Sequence, residues 1–116
     1  MITVYGIPNC NSVKKAIDWL KANNIEYHFH NYKKEGITHE KLRAWAHYFG
    51  WQNLLNKAGT TWKNLPEKEK YAVDNEAAAI EFMKNNTSVI KRPLVEYAGT
   101  YLLRFNEEEY KKNLLP

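Results

Sequence analysis

Cysteine is nearly absent from this chain: Cys10 is the only one in 116 residues. One thiol cannot close a disulfide within the chain, so the cross-linked framework of small secreted domains is excluded. A lone thiol suits a reducing compartment. No apolar run reaches the roughly 20 residues that span a bilayer, and Met1 leads straight into the first predicted strand without a secretory leader. The expected setting is therefore the cytoplasm, with no membrane partner. Low-complexity tracts are missing too, and with 44% hydrophobic and 26% charged residues the chain reads as one folded domain with a real core. Arginine is scarce: Arg43, Arg92 and Arg104 stand in a basic set of 17 dominated by lysine. The formal charge is +4, but basic and acidic residues interleave, as in Lys33-Lys34-Glu35 and Glu67-Lys68-Glu69-Lys70. A nucleic-acid binder gathers its charge on one face, so direct nucleic-acid binding is not expected and a solvated mixed surface is.

What is present follows a clear order. Ile2–Gly6 reads as a short apolar strand, followed by a Gly/Pro/Asn turn and then Cys10. Val13, Ala16, Ile17 and Leu20 recur at helical spacing until Asn23-Asn24 supplies a stop. Ile25, Tyr27 and Phe29 alternate with Glu26, His28 and His30, the period of a half-buried strand. Strand, helix and strand within this length predict a right-handed βαβ unit with parallel strands, ended by a turn at Lys33–Gly36. From about residue 38 to 86 the pattern is helical. Thr38 is the expected N-cap of a helix through Phe49, a short turn of helix holds Trp51, Leu54 and Leu55, and Gly59–Trp62 is expected as a loop. Pro66 opens another helix, and Asp74 or Asn75 caps the next, with Ala79, Ile80 and Met83 on its apolar stripe. The end returns to strands around Pro93–Tyr97 and Tyr101–Phe105, joined by a tight turn at Ala98–Thr100. Asn106 with Glu109 forms a capping box for a last helix through about Lys112. The order predicts an α/β, thioredoxin/glutaredoxin-like mixed sheet with an inserted helical block between its βαβ and ββα halves. The core is expected at about 1–35 and 87–116 and the insertion at about 38–86.

Chemistry concentrates at Cys10. The first turn of a helix carries unpaired N–H groups and partial positive charge, which favour a thiolate. Cysteines so placed have pKa values of roughly 3.5–7.5 instead of about 8.5, and the thiolate is the nucleophile. Arginine binds planar oxyanions through two parallel N–H groups. Arg92, just ahead of Pro93, and Arg104, in the partner strand of the hairpin, reach the Cys10 turn if the sheet order is thioredoxin-like. Asn11 and Ser12 read first as turn and cap residues, and Lys14 and Lys15 as a solvated face that raises the local potential. His28 and His30 share a strand face, but no third ligand accompanies them and no metal is expected. Trp19, Trp45, Trp51 and Trp62 fall at or near helical core positions, so packing outranks a stacking platform.

Four blocks in order make a family visible: Tyr5–Ala16, Leu54–Trp62, Ile90–Leu94 and Leu102–Phe105. Together they resemble the arsenate reductase (ArsC)/Spx family over essentially the whole chain, and its YffB-type branch in particular. The resemblance implies a thioredoxin-like fold with a helical insertion and a cis peptide before Pro93. It gives Cys10 the place of the catalytic cysteine of glutaredoxin-linked arsenate reductases. Arg92 and Arg104 take the places of two of the three arginines around arsenate and the cysteine adduct. The third falls at Asn56, which is neutral. Spx regulators carry a Cys-x-x-Cys switch and bind RNA polymerase; here the second position is Val13, which excludes an internal disulfide.

Two readings follow. In the first, the chain is a monothiol reductase whose oxidised or adducted Cys10 is released by an external thiol, with glutathione as co-substrate and a glutaredoxin as a further partner. Arg92, Arg104, Asn11 and Ser12 then bind the substrate or oxyanion, and Lys14, Pro93 and Asn56 support the site. The substrate is arsenate or, preferably, a glutathione-containing disulfide. No bound cofactor is expected, and a monomer is the default. In the second reading the chain is a non-enzymatic regulator that binds RNA polymerase or another protein. The Cys10/Arg92/Arg104 set favours the enzyme, because a pure interaction module does not need it.

Overall fold

Two stretches with alternating apolar residues become a parallel pair in the computed structural model, which describes residues 1–116. Strand β1 (Ile2–Gly6) pairs with β2 (Tyr27–Asn31) in parallel, with Ile2 opposite Tyr27 and Gly6 opposite Asn31. β3 (Leu94–Tyr97) lies antiparallel on the other side of β1, with Tyr5 opposite Leu94. β4 (Thr100–Leu103) runs antiparallel to β3, giving the order β2-β1-β3-β4. The mixed thioredoxin-like sheet read from the sequence is thus the sheet observed. Ala98 and Gly99, at φ of 49° and 82°, make the two-residue turn between β3 and β4. Positive φ at both centres matches the twist of a hairpin.

The chain divides into two compact units, residues 1–35 with 92–116, and residues 36–91. In the first, Ile2, Val4, Val95 and Leu102 on one sheet face pack with Ala16 and Leu20 of α1 (Asn11–Ala22) and Tyr110 of α8 (Glu107–Leu114). α1 forms because its apolar residues recur at helical spacing, and it stops where Asn24 takes a φ of 57°, a conformation asparagine tolerates. Ile25 falls outside β2: its N–H is bonded to the Leu20 carbonyl (2.9 Å), so it still closes the helix end. Residues Tyr32–Glu35 form one helical turn, α2, before Gly36 at a φ of 65°. At the start of α8 the Asn106 side chain accepts from the Glu109 N–H (3.0 Å), half of the expected capping box.

The second unit is helical: α3 (His39–Phe49), α4 (Trp51–Leu54), α5 (Thr60–Lys63), α6 (Glu67–Ala72) and α7 (Glu76–Asn85), then a 3₁₀ turn at Thr87–Val89. Thr38 and Asn75 cap α3 and α7 by accepting from Lys41 and Ala78 N–H groups. α3 packs on α7 through Leu42, Trp45, Ala79, Ile80 and Met83, all buried, with His39 Nε2 and a Glu81 carboxylate oxygen 3.0 Å apart at the surface. Leu55 and Ile90 form an isolated antiparallel bridge. One expectation is corrected here. The stretch at Gly59–Trp62 is not a loop: Lys63 and Asn64 N–H groups bond the Gly59 and Thr60 carbonyls, making the turn of helix that buries Trp62.

Candidate functional site

The register brings four connections to one end of the sheet. β1, β2 and β4 finish there and β3 begins there, so Cys10, Tyr32, Arg92-Pro93 and Arg104 all leave the sheet at that end. β1 ends at Gly6, and Asn9 turns the chain at a φ of 62°. Cys10 is then the N-cap of α1, with extended backbone, and its carbonyl accepts the first helical bond from the Lys14 N–H (2.9 Å). No acidic residue stands in the first turn, so nothing there neutralises the positive end of the helix.

The Cys10 sulfur is half-buried and makes no regular cap hydrogen bond. Burial is the largest influence on it and pushes the thiol up. The Val13 N–H, a hydrogen bond from the Arg92 side chain, the positive charge of Arg92 and the Ser12 N–H together outweigh that burial and hold the pKa below the ordinary thiol value. Arg92 and Cys10, far apart in sequence, therefore meet. Arg92 precedes a cis peptide bond to Pro93. The Pro93 carbonyl in turn accepts the Arg104 N–H at 2.7 Å. Arg104 itself stands at a φ of 62° with its side chain exposed, and its carbonyl accepts from the Tyr110 hydroxyl at 3.2 Å. Asn11 and Lys14 are exposed beside Cys10. Asn56 belongs to the second unit, where its side chain accepts from the Ala58 N–H (3.2 Å) in a local turn.

Sequence reasoning passed over Tyr32 and Tyr110. Tyr32 is 2% exposed, and its hydroxyl has no hydrogen-bond partner. Burial above all, then the neighbouring Tyr5, raises its pKa, against the positive charge of Arg92. It stacks with Tyr5 at 6.3 Å and meets the edge of His30 at 5.9 Å. Tyr5 donates to Glu96 at 2.7 Å, and His30 lies 3.8 Å from Glu35. A tyrosine directly after an alternating strand was the available signal. No group of three or more His, Cys, Asp or Glu side chains is arranged to hold a metal ion, and no helix is long and apolar enough to cross a membrane.

A family model described as the ArsC family matches residues 5–113. A Haemophilus influenzae protein of uncharacterised role is 44% identical over 111 residues, covering 96% of each chain. A solved structure described as a YffB protein superposes with a TM-score of 0.93 at 44% identity, covering 98% of this chain and 99% of that one. An arsenate reductase (ArsC) related protein from Brucella melitensis superposes with a TM-score of 0.75 at 41% identity, covering 99% and 95%.

Proposed function

The chain belongs to the ArsC family, and from that premise we propose that it is a monothiol reductase in which Cys10 attacks a glutathione-containing disulfide. The observation that carries the reading is the Cys10–Arg92 contact: a half-buried thiol held toward its anion by a guanidinium and the first turn of α1. Those neighbours favour the thiolate, the nucleophilic form of cysteine, and a chain with no second cysteine needs an external thiol to finish the cycle.

The chemistry balances in two exchanges. The Cys10 thiolate attacks the glutathione sulfur of a mixed disulfide, forming Cys10–S–S–glutathione and expelling the other half as a thiolate, which takes a proton from water. A second glutathione thiolate then attacks the glutathione sulfur of that adduct. Cys10 leaves as the thiolate its neighbours favour, glutathione departs oxidised as its disulfide, and the electron pair it gave up stays on the expelled thiol. In this scheme Arg92 holds the thiolate in both steps, Arg104 offers a charge to a substrate carboxylate, and Asn11 and Ser12 shape the approach. Arsenate is the weaker candidate, because the family's third arginine position holds Asn56, whose side chain is engaged in its own turn.

The test is turnover of the mixed disulfide of glutathione and 2-mercaptoethanol, with glutathione as reductant, in the wild type and Cys10→Ser. Glutathione-dependent reduction that vanishes in Cys10→Ser, with a trapped Cys10–glutathione adduct by mass spectrometry, is the expected result. No turnover, or turnover that survives Cys10→Ser, overturns the reading and leaves an interaction protein on this fold.

A further inference from the structure

Cys10 does not stand in a pit sized for a small anion. It lies at one end of an open groove of about 580 Å³ that continues along α1 as far as Lys21, with Phe29 of the edge strand β2 on the opposite wall. Volumes of that order hold molecules of drug or short-peptide size. The apolar part of the lining is Val13, which is buried, with Ile17 and Phe29, which are partly so. The α1 rim carries Lys14, Asp18 and Lys21, at spacings of four and three that put them on one helix face. All three are exposed, and none is held in an ion pair or side-chain hydrogen bond. An apolar trough with a nucleophile at one end and two unpaired cations along its side is complementary to an extended chain with acidic groups.

We propose that this groove seats the protein half of the substrate: an extended, acidic segment whose cysteine is disulfide-linked to glutathione. The proposal rests on the thiol-reductase reading and adds to it which half of the disulfide lies where. The Cys10 thiolate attacks the glutathione sulfur, the peptide thiolate leaves along the groove and takes a proton from water, and a second glutathione clears the adduct. The spacing of the rim makes the recognition specific. Lys14 is four residues and Lys21 eleven residues beyond Cys10, so at 1.5 Å per residue they lie about 6 and 16 Å along the helix. An extended peptide advances about 3.3 Å per residue. The matching peptide has one acidic residue about two positions from its cysteine and a second about three positions further on. Asp18, between the lysines, disfavours an acidic residue in the middle.

The experiment compares three glutathione mixed disulfides: a peptide Cys-Gly-Asp-Ala-Ala-Asp, its counterpart with lysine at both aspartates, and 2-mercaptoethanol. The acidic peptide is expected to exceed the lysine peptide at least tenfold in kcat/KM, and Lys21→Glu to erase most of that preference. Equal rates for the two peptides, or a preference untouched by Lys21→Glu, overturn the groove while leaving the chemistry standing. If even the 2-mercaptoethanol disulfide is not reduced, the chemistry fails separately. The groove is then judged by amide NMR shifts in the Cys10→Ser protein titrated with the acidic glutathionylated peptide. Shifts gathered on residues 13–21 and at Phe29 uphold it, and shifts elsewhere or none overturn it.

Discussion

The Tyr110 hydroxyl donates to the Arg104 carbonyl at 3.2 Å, while the Arg104 N–H donates to the Pro93 carbonyl at 2.7 Å. These bonds hold Arg104 in the left-handed region, at a φ of 62°, where a non-glycine residue is strained by roughly 1–3 kcal/mol. Tyr110 is fully buried and packs edge-on against Trp19 and Phe105, so core packing and the placement of an arginine are joined in one side chain. Arg104→Gly removes the strain and the guanidinium together. Its expected melting temperature equals or exceeds that of the wild type, while reduction of a glutathione disulfide falls at least tenfold in kcat/KM. Thermal unfolding beside steady-state kinetics checks both halves; a destabilised Arg104→Gly protein shows the conformation to be unstrained.

Gly6 lies against the helix that carries the thiol. A Cβ built there meets Val13 Cγ2 at 2.7 Å, and Val13 is a buried, β-branched residue with little freedom to yield. Gly6→Ala is expected to cost about 1–3 kcal/mol, as overpacking does. It also displaces the Val13 N–H that favours the thiolate. Denaturant unfolding and iodoacetamide alkylation at neutral pH should therefore both report a loss. Unchanged stability means that Val13 moves aside freely.

Tyr32 gives the opposite expectation. Its buried hydroxyl has no hydrogen-bond partner, and an unsatisfied buried hydroxyl costs roughly 1–3 kcal/mol. Tyr32→Phe keeps the ring stacked on Tyr5 and removes only the oxygen. Stability is expected to stay level or rise by about 1 kcal/mol in chemical denaturation. A clear fall means that the hydroxyl is hydrogen-bonded in solution.

These positions show where local signals end. Thr38, Asn106 and the pair Asp74 or Asn75, of which Asn75 is the cap, were readable because a cap bonds a backbone N–H three residues on, a relation written in the sequence itself. Cys10 was readable for the same reason, since a strand, a turn and a helical stripe surround it locally. The helical turn at Thr60–Lys63 was not readable, because no cap marks its start and burial of Trp62 comes from the packed unit. Strand β2 begins later than the alternation suggests, because the Ile25 N–H closes α1 first. The meeting of Arg92 with Cys10 and the tie between Tyr110 and Arg104 depend on strand pairing across the sheet. A thioredoxin-like sheet order and the family resemblance put Arg92 and Arg104 toward the Cys10 turn in advance, a tyrosine directly after an alternating strand was the one signal for Tyr32, and nothing in the sequence marked Tyr110.

Arg92 is one of the groups that favour the Cys10 thiolate, beside the Val13 and Ser12 N–H groups, and pH is the way to see its share. Burial pushes the Cys10 thiol up, and Arg92 supplies two of the influences that bring it down, a hydrogen bond and a positive charge. In Arg92→Gln the charge is gone, so the pH midpoint of Cys10 alkylation should move up toward or beyond the free-thiol value of about 8.5. The sign for stability follows from linkage. The folded thiol has a lower pKa than the unfolded one, so the unfolded chain binds more protons between the two values. The wild type's stability relative to Cys10→Ser should therefore grow as pH rises through the folded pKa. It is complete above the unfolded value of about 8.5 and lost as pH falls below the folded one. In Arg92→Gln that growth should shrink or reverse sign. If the alkylation midpoint of Arg92→Gln matches that of the wild type, the α1 N–H groups alone hold the thiolate, and Arg92 serves the substrate instead.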